Sequence, residues 1–65
     1  MTTWKITYQI FKNGWKKMKS RTATIGLGGN PTFDAKDGLR RTFNIPLFDK
    51  IEILKIEEVL NIKVN

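Results

Sequence analysis

The amino-acid sequence predicts a small α+β domain: an antiparallel sheet in β-β-α-β(-β) order, with one helix packed on one sheet face. Three observations carry this. Trp4, Ile6, Tyr8 and Ile10 alternate with polar residues, the period of a half-buried strand. Asn13-Gly14 follows directly, a hairpin turn signal. Ala35, Leu39 and Phe43 then fall at i, i+4 and i+8, the spacing of one helix face. At 65 residues the chain makes a single domain. A domain of that size buries only about 60% of the surface its unfolded chain exposes, so the core is thin.

The hairpin is expected over 3–25, with residues 3–11 outward and 15–25 returning. Two registers compete. A two-residue Asn13-Gly14 loop would set Ile10, Tyr8 and Ile6 opposite Lys17, Lys19 and Arg21, placing three cations on the core face. A three-residue loop, Lys12-Asn13-Gly14, pairs Phe11 with Trp15 and sets Tyr8 opposite Met18. A one-residue slip moves a whole set of side chains to the other face, so the choice is sharp, and the second register is preferred. It gathers Lys5, Lys17, Lys19 and Arg21 on a solvent-facing sheet surface, with Phe11 and Trp15 at its turn end. Lys5 would then oppose Arg21, a repulsion that a bound anion would relieve. In this register Ala23 and Ile25 land on the basic face although their chemistry suits the core, and a bulge near Thr22 would return them.

Residues 26–31, Gly-Leu-Gly-Gly-Asn-Pro, form a connector. Glycines before a helix can cradle an anion. No Lys-Ser/Thr follows them, however, and no Gly-x-Gly-x-x-Gly occurs, so a flexible crossover is the plainer reading. The helix is expected over 32–43, with Asp34 as N-cap, an Asp37–Arg41 pair at i, i+4, and an end imposed before Pro46. Gly38 in mid-helix costs about 1 kcal/mol relative to Ala, so this helix must lean on tertiary packing. Arg40 and Arg41 would extend the basic surface. Residues 50–57 are rich in isoleucine with mixed parity, which reads as a strand that is bulged or buried on both sides. Leu60, Ile62 and Val64 alternate again, suggesting a final strand over 59–64.

Charge placement says more than the net charge of +6. Residues 1–33 contain six cations and no acid, whereas residues 34–65 contain six of each, so the whole excess lies in the first half. Such asymmetry points to a local anion-attracting surface; the blander alternative is solvated lysines that keep a small protein in solution. There is no cysteine and no histidine, which removes disulfides, thiolate chemistry and the commonest metal ligands and general bases. Glu57 and Glu58 are adjacent in a strand and point to opposite faces, so they do not form a carboxylate pair. The expectation is a non-enzyme without cofactor or metal. No apolar run approaches the ~20 residues of a membrane span. A soluble, cysteine-free chain suits the cytoplasm. Its Lys-, Ile- and Asn-rich usage is of the kind AT-rich coding gives, as in low-GC bacteria and their phages.

Trp4, Tyr8, Gly14, Lys17, Lys19 and Ser20 together resemble the pattern of the arm-type DNA-binding domains of phage and transposon integrases. The chain departs from that family at the helix entry, where its aromatic and Thr-x-x-Glu-Ala pattern is not found, so no functional residue is carried over.

Two functions fit. The first is nucleic-acid binding by the hairpin face, through Lys5, Lys17, Lys19, Arg21, Phe11, Trp15, Arg40 and Arg41. Lysines and arginines would neutralise phosphates, and the aromatics would stack on bases. Nine lysines against three arginines favour point-charge phosphate contact over bidentate base reading. The alternative is an adaptor or inhibitor, of the kind phages and mobile elements encode, docking on an acidic protein surface with Trp15 and Phe11 as anchors. A homodimer joined along a strand edge is compatible with either.

Overall fold

The computed structural model describes residues 2–59. It is a small α+β fold in which an antiparallel four-strand sheet, in β-β-α-β order, carries one helix on one face. The elements are β1 (Thr2–Lys12), β2 (Lys16–Lys17), β3 (Arg21–Leu27), α1 (Pro31–Phe43) and β4 (Lys50–Glu58). Most of the expected strand over 59–64 lies outside the described residues, and Val59 itself is not in a strand.

β1 is the central strand. β4 pairs along one of its edges, and β2 followed by β3 pairs along the other. The alternation of β1 sorts its side chains cleanly. Ile6 and Tyr8 are buried beneath α1, and Trp4 and Ile10 pack against the same core. Ile25 and Leu27 of β3, Ile51 of β4, and Ala35 and Leu39 of α1 complete it. Thr3, Lys5, Thr7, Gln9 and Phe11 alternate onto the face that α1 does not cover.

The return strand follows neither expected register. The loop is Asn13-Gly14-Trp15, flanked by the pair Lys12↔Lys16. Asn13 and Gly14 both have positive φ (58° and 84°), as a type I′ turn requires, and the Trp15 N–H donates to the Lys12 carbonyl at 3.2 Å. Trp15 is thus the extra residue between the turn and the first ladder pair, and it does not pair with Phe11. A second extra residue follows. From Phe11↔Lys17 to Tyr8↔Arg21, β1 moves back three residues while its partner advances four. Lys19 and Ser20 therefore share the place opposite Gln9, whose side-chain amide donates to the Met18 carbonyl at 3.0 Å. This irregularity flips the parity of everything beyond it. Ala23 now faces Ile6 and Ile25 faces Trp4, both on the core side. The expected correction exists, but it precedes Thr22 rather than falling beside it.

β4 contains the bulge that its mixed parity implies. Thr7 pairs with Lys55 and Tyr8 with Ile53, which leaves Leu54 without an opposite. Ile51, Ile53 and Ile56 consequently all reach the helix side, while Lys50, Glu52, Lys55 and Glu57 take the open face.

α1 begins one residue earlier than the sequence suggests. Pro31 fits the first helical turn, where its missing N–H is not needed. Asn30, not Asp34, is the N-cap, and its side-chain oxygen accepts from the Thr32 N–H at 2.9 Å. Asp34 lies one turn inside, where its charge still favours the helix dipole. Asp37 and Arg41 form no ion pair; among the described residues, the pair within bonding distance is Lys55 with Glu57, at 3.2 Å. The helix ends on Asn44 in the left-handed conformation. Gly38 has a structural reason: a Cβ there would stand 2.6 Å from Leu27 Cδ2 and 3.1 Å from Ile25 Cδ1. The missing side chain is what lets α1 approach β3. Phe43 leaves the buried stripe, half exposed, and stacks on Tyr8 with ring centroids 6.4 Å apart.

Candidate functional site

The open sheet face and the turn end of the hairpin bring together part of the expected set. Phe11 lies on the open face with Lys17 directly opposite on one side and Lys50 on the other. The three make a Lys–Phe–Lys rung across three strands. Lys50 Nζ stands 5.7 Å from the Phe11 ring centroid, within range of a cation–π contact. One residue further towards the turn, Lys12 and Lys16 oppose each other, so two like charges meet at the mouth of the loop. Trp15 projects from that loop and is 74% exposed. It is exposed because the I′ turn ends before it and the ladder resumes after it.

The loop is held from behind. Asp49, just before β4, accepts the Asn13 N–H at 2.9 Å. That contact joins the α1–β4 connection to the hairpin turn and brings Lys50 alongside Phe11. It also gives the Asp49 carboxylate a backbone partner, while Glu52 lies on the open face two residues from Lys50. Leu47 and Phe48, on the same connection, are exposed.

The remaining expected residues are not brought to this place. Lys5 shares the open face but sits six residues back from Phe11, about 20 Å along the strand. Its partners are Thr24 and Glu57, so it faces an acid across β4 and not Arg21. The repulsion expected between Lys5 and Arg21 does not exist. Thr7 likewise meets Thr22, with the two hydroxyl oxygens 3.3 Å apart, rather than Lys19. Arg21 is opposite Tyr8 and therefore on the helix side of the sheet. Lys19 is exposed within the irregularity between β2 and β3. Arg40 and Arg41 belong to α1, across the sheet from Lys5 and Lys17, and do not extend their surface. Arg40 is half-buried, and its guanidinium donates to the Pro46 carbonyl.

Lys12, Lys16 and Lys50 were not in the expected set. Lys16 was legible from its place beside the turn. Lys50 is 33 residues beyond Lys17 in the chain, and only the β1–β4 pairing reveals it. The glycine connector offers no better anion site. A depression of about 230 Å³ lies between it and α1, but Asp34 and Asp37 line it against the single cation Arg41. At the helix start, the side chain of Asn30 already takes the Thr32 N–H, and its carbonyl takes those of Phe33 and Asp34.

No protein-family model matches this chain, and no curated protein or solved structure matches it either. Among the described residues, no helix is long and apolar enough to cross a membrane.

Proposed function

We propose that this protein is a nucleic-acid-binding module, not an enzyme, and that the turn end of its hairpin is the contact surface. The observation that carries this reading is the exposed indole of Trp15, standing in a loop flanked by Lys12, Lys16 and Lys17 beside the Lys17–Phe11–Lys50 rung. A flat, exposed aromatic costs apolar hydration unless something covers it. Bases do so by stacking, at ~1–3 kcal/mol each, while neighbouring lysines take the phosphates. An anion also relieves the repulsion built into the Lys12–Lys16 and Lys17–Phe11–Lys50 arrangements.

The test is a titration read by tryptophan fluorescence, with single-stranded DNA, duplex DNA and RNA, at about 50 and 200 mM salt. Quenching that weakens steeply with salt is the expected result. Lys16→Glu combined with Lys17→Glu should abolish most of it without lowering the melting temperature. No quenching with any of the three at low salt, or unchanged affinity in the double variant, would remove this reading.

A second reading rests on Leu47 and Phe48, exposed on the connection that seats against the turn. With Trp15 they would supply apolar anchors ringed by lysines, the composition suited to an acidic protein surface. Capture of one stoichiometric protein partner, lost on Leu47→Ala with Phe48→Ala and indifferent to added nucleic acid, would favour it.

A further inference from the structure

We propose that β4 is a self-recognition edge, and that two copies of the chain join their sheets by antiparallel pairing of β4 with β4. Among the described residues β4 pairs on one side only, with β1. Its other edge presents backbone donors and acceptors over nine residues, a template for a further strand.

The bulge at Leu54 decides which strand can be added. In any strand pair, residues directly opposite must share a face. Before the bulge, Lys50 and Glu52 lie on the open face and Ile51 and Ile53 on the helix face; after it, Lys55 and Glu57 lie on the open face and Ile56 on the helix face. An antiparallel pairing centred between Ile53 and Leu54 respects these faces at every position outside the bulge, where Ile53 meets Leu54. It sets Lys50 against Glu57 of the second copy, Ile51 against Ile56, and Glu52 against Lys55. Each occurs twice by symmetry, which gives four opposite-charge pairs and two Ile–Ile pairs. Moving the register by two residues one way sets Lys50 against Lys55; moving it the other way sets Glu52 against Glu57. A slip of one residue puts isoleucines against charges. Glu58, the last residue of β4, would meet Asp49 just before β4 of the second copy, an acidic couple at each end, and the Asp49 carboxylate is turned to the Asn13 N–H.

Within one chain Glu52 faces Gln9 on β1 and finds no opposite charge across that ladder, while Lys55 faces Thr7 and meets Glu57 along its own strand at 3.2 Å. Leu54 is half exposed, and Ile53 and Ile56 are half-buried. All three lie at or near the proposed two-fold axis and would be covered by the second copy. The product is a continuous sheet with both helices on one face and both open faces on the other. Lys50 alone is shared with the turn-end lysine group, and the variants below leave it in place, so the inference is tested apart from nucleic-acid binding.

The experiment is sedimentation equilibrium of the full chain, with Lys55→Glu, Glu52→Lys and the two combined. The wild type should be a dimer. Each single reversal should weaken association by at least about tenfold, because it places like charges opposite each other twice. The combined swap should restore the dimer. A monomeric wild type, or a swap no better than either single variant, overturns the proposal. Should a single variant fold poorly, amide exchange of the wild type replaces it: protection within β4 that rises with protein concentration supports the pairing, and concentration-independent exchange there refutes it.

Discussion

The two faces of the sheet are built from the same strand, yet they follow opposite rules. On the helix side, β1 contributes Ile6 and Tyr8 to a core closed by Ile25, Leu27, Ile51, Ala35 and Leu39. On the open side, the same strand presents Thr3, Lys5, Thr7, Gln9 and Phe11, and its neighbours add Thr22, Thr24, Lys17, Lys50, Glu52, Lys55 and Glu57. The first face carries the stability; the second is left free to carry charge. A 65-residue domain has only one core to spend its apolar residues on, so its charged residues are concentrated where folding makes no demand.

Substitutions can break this contrast. Ile6→Ala, at a fully buried central position, should cost about 2–5 kcal/mol in urea unfolding, much of the stability a domain this small possesses. A loss below about 1 kcal/mol would mean the helix side is not the core. Gly38→Ala sharpens the same point. Helix propensity alone would gain up to about 1 kcal/mol, while overpacking against Leu27 and Ile25 costs about 1–3 kcal/mol. The expected net is a loss of about 1 kcal/mol, and a stabilised variant would show that α1 does not need its close approach to β3. Thr7→Val on the open face removes only the hydroxyl contact with Thr22 and should move stability by no more than about 0.5 kcal/mol. A larger loss would show that the open face also holds the fold.

The helix side was the legible side. Alternation in β1, the 35–39 stripe and the mixed parity of β4 are apolar signals, and burial enforces them. The turn was legible from Asn13-Gly14. The register was not, because the stretch from Lys16 to Arg21 holds Met18 as its one apolar residue. Polar residues tolerate either face, so nothing in that run marks where an extra residue enters. The misplaced Ala23 and Ile25 were the trace it left. This is also why Lys17 was assigned to the correct face while Arg21 was not: they lie on opposite sides of the irregularity. The helix start was missed for a simpler reason. Asn30-Pro31 is as good a cap and first turn as Asp34 offers, and the Gly-rich stretch before it drew the boundary too late.

The central position of β1 sets the order in which the molecule can assemble. Its pairs with β2 and β3 begin four residues apart at Lys12 and Lys16, whereas its pairs with β4 span from 39 residues (Phe11 with Lys50) to 54 (Trp4 with Glu58). The hairpin closes locally and fast, in about 1–10 μs. The strand synthesised first is nevertheless completed last, when the distant β4 arrives, and an isolated two-stranded hairpin is marginal in water. No fragment that lacks β4 retains the full set of backbone bonds of β1. The expected outcome is cooperative unfolding of this sheet, with the amide protons at the centre of β1 the slowest in it to exchange with solvent.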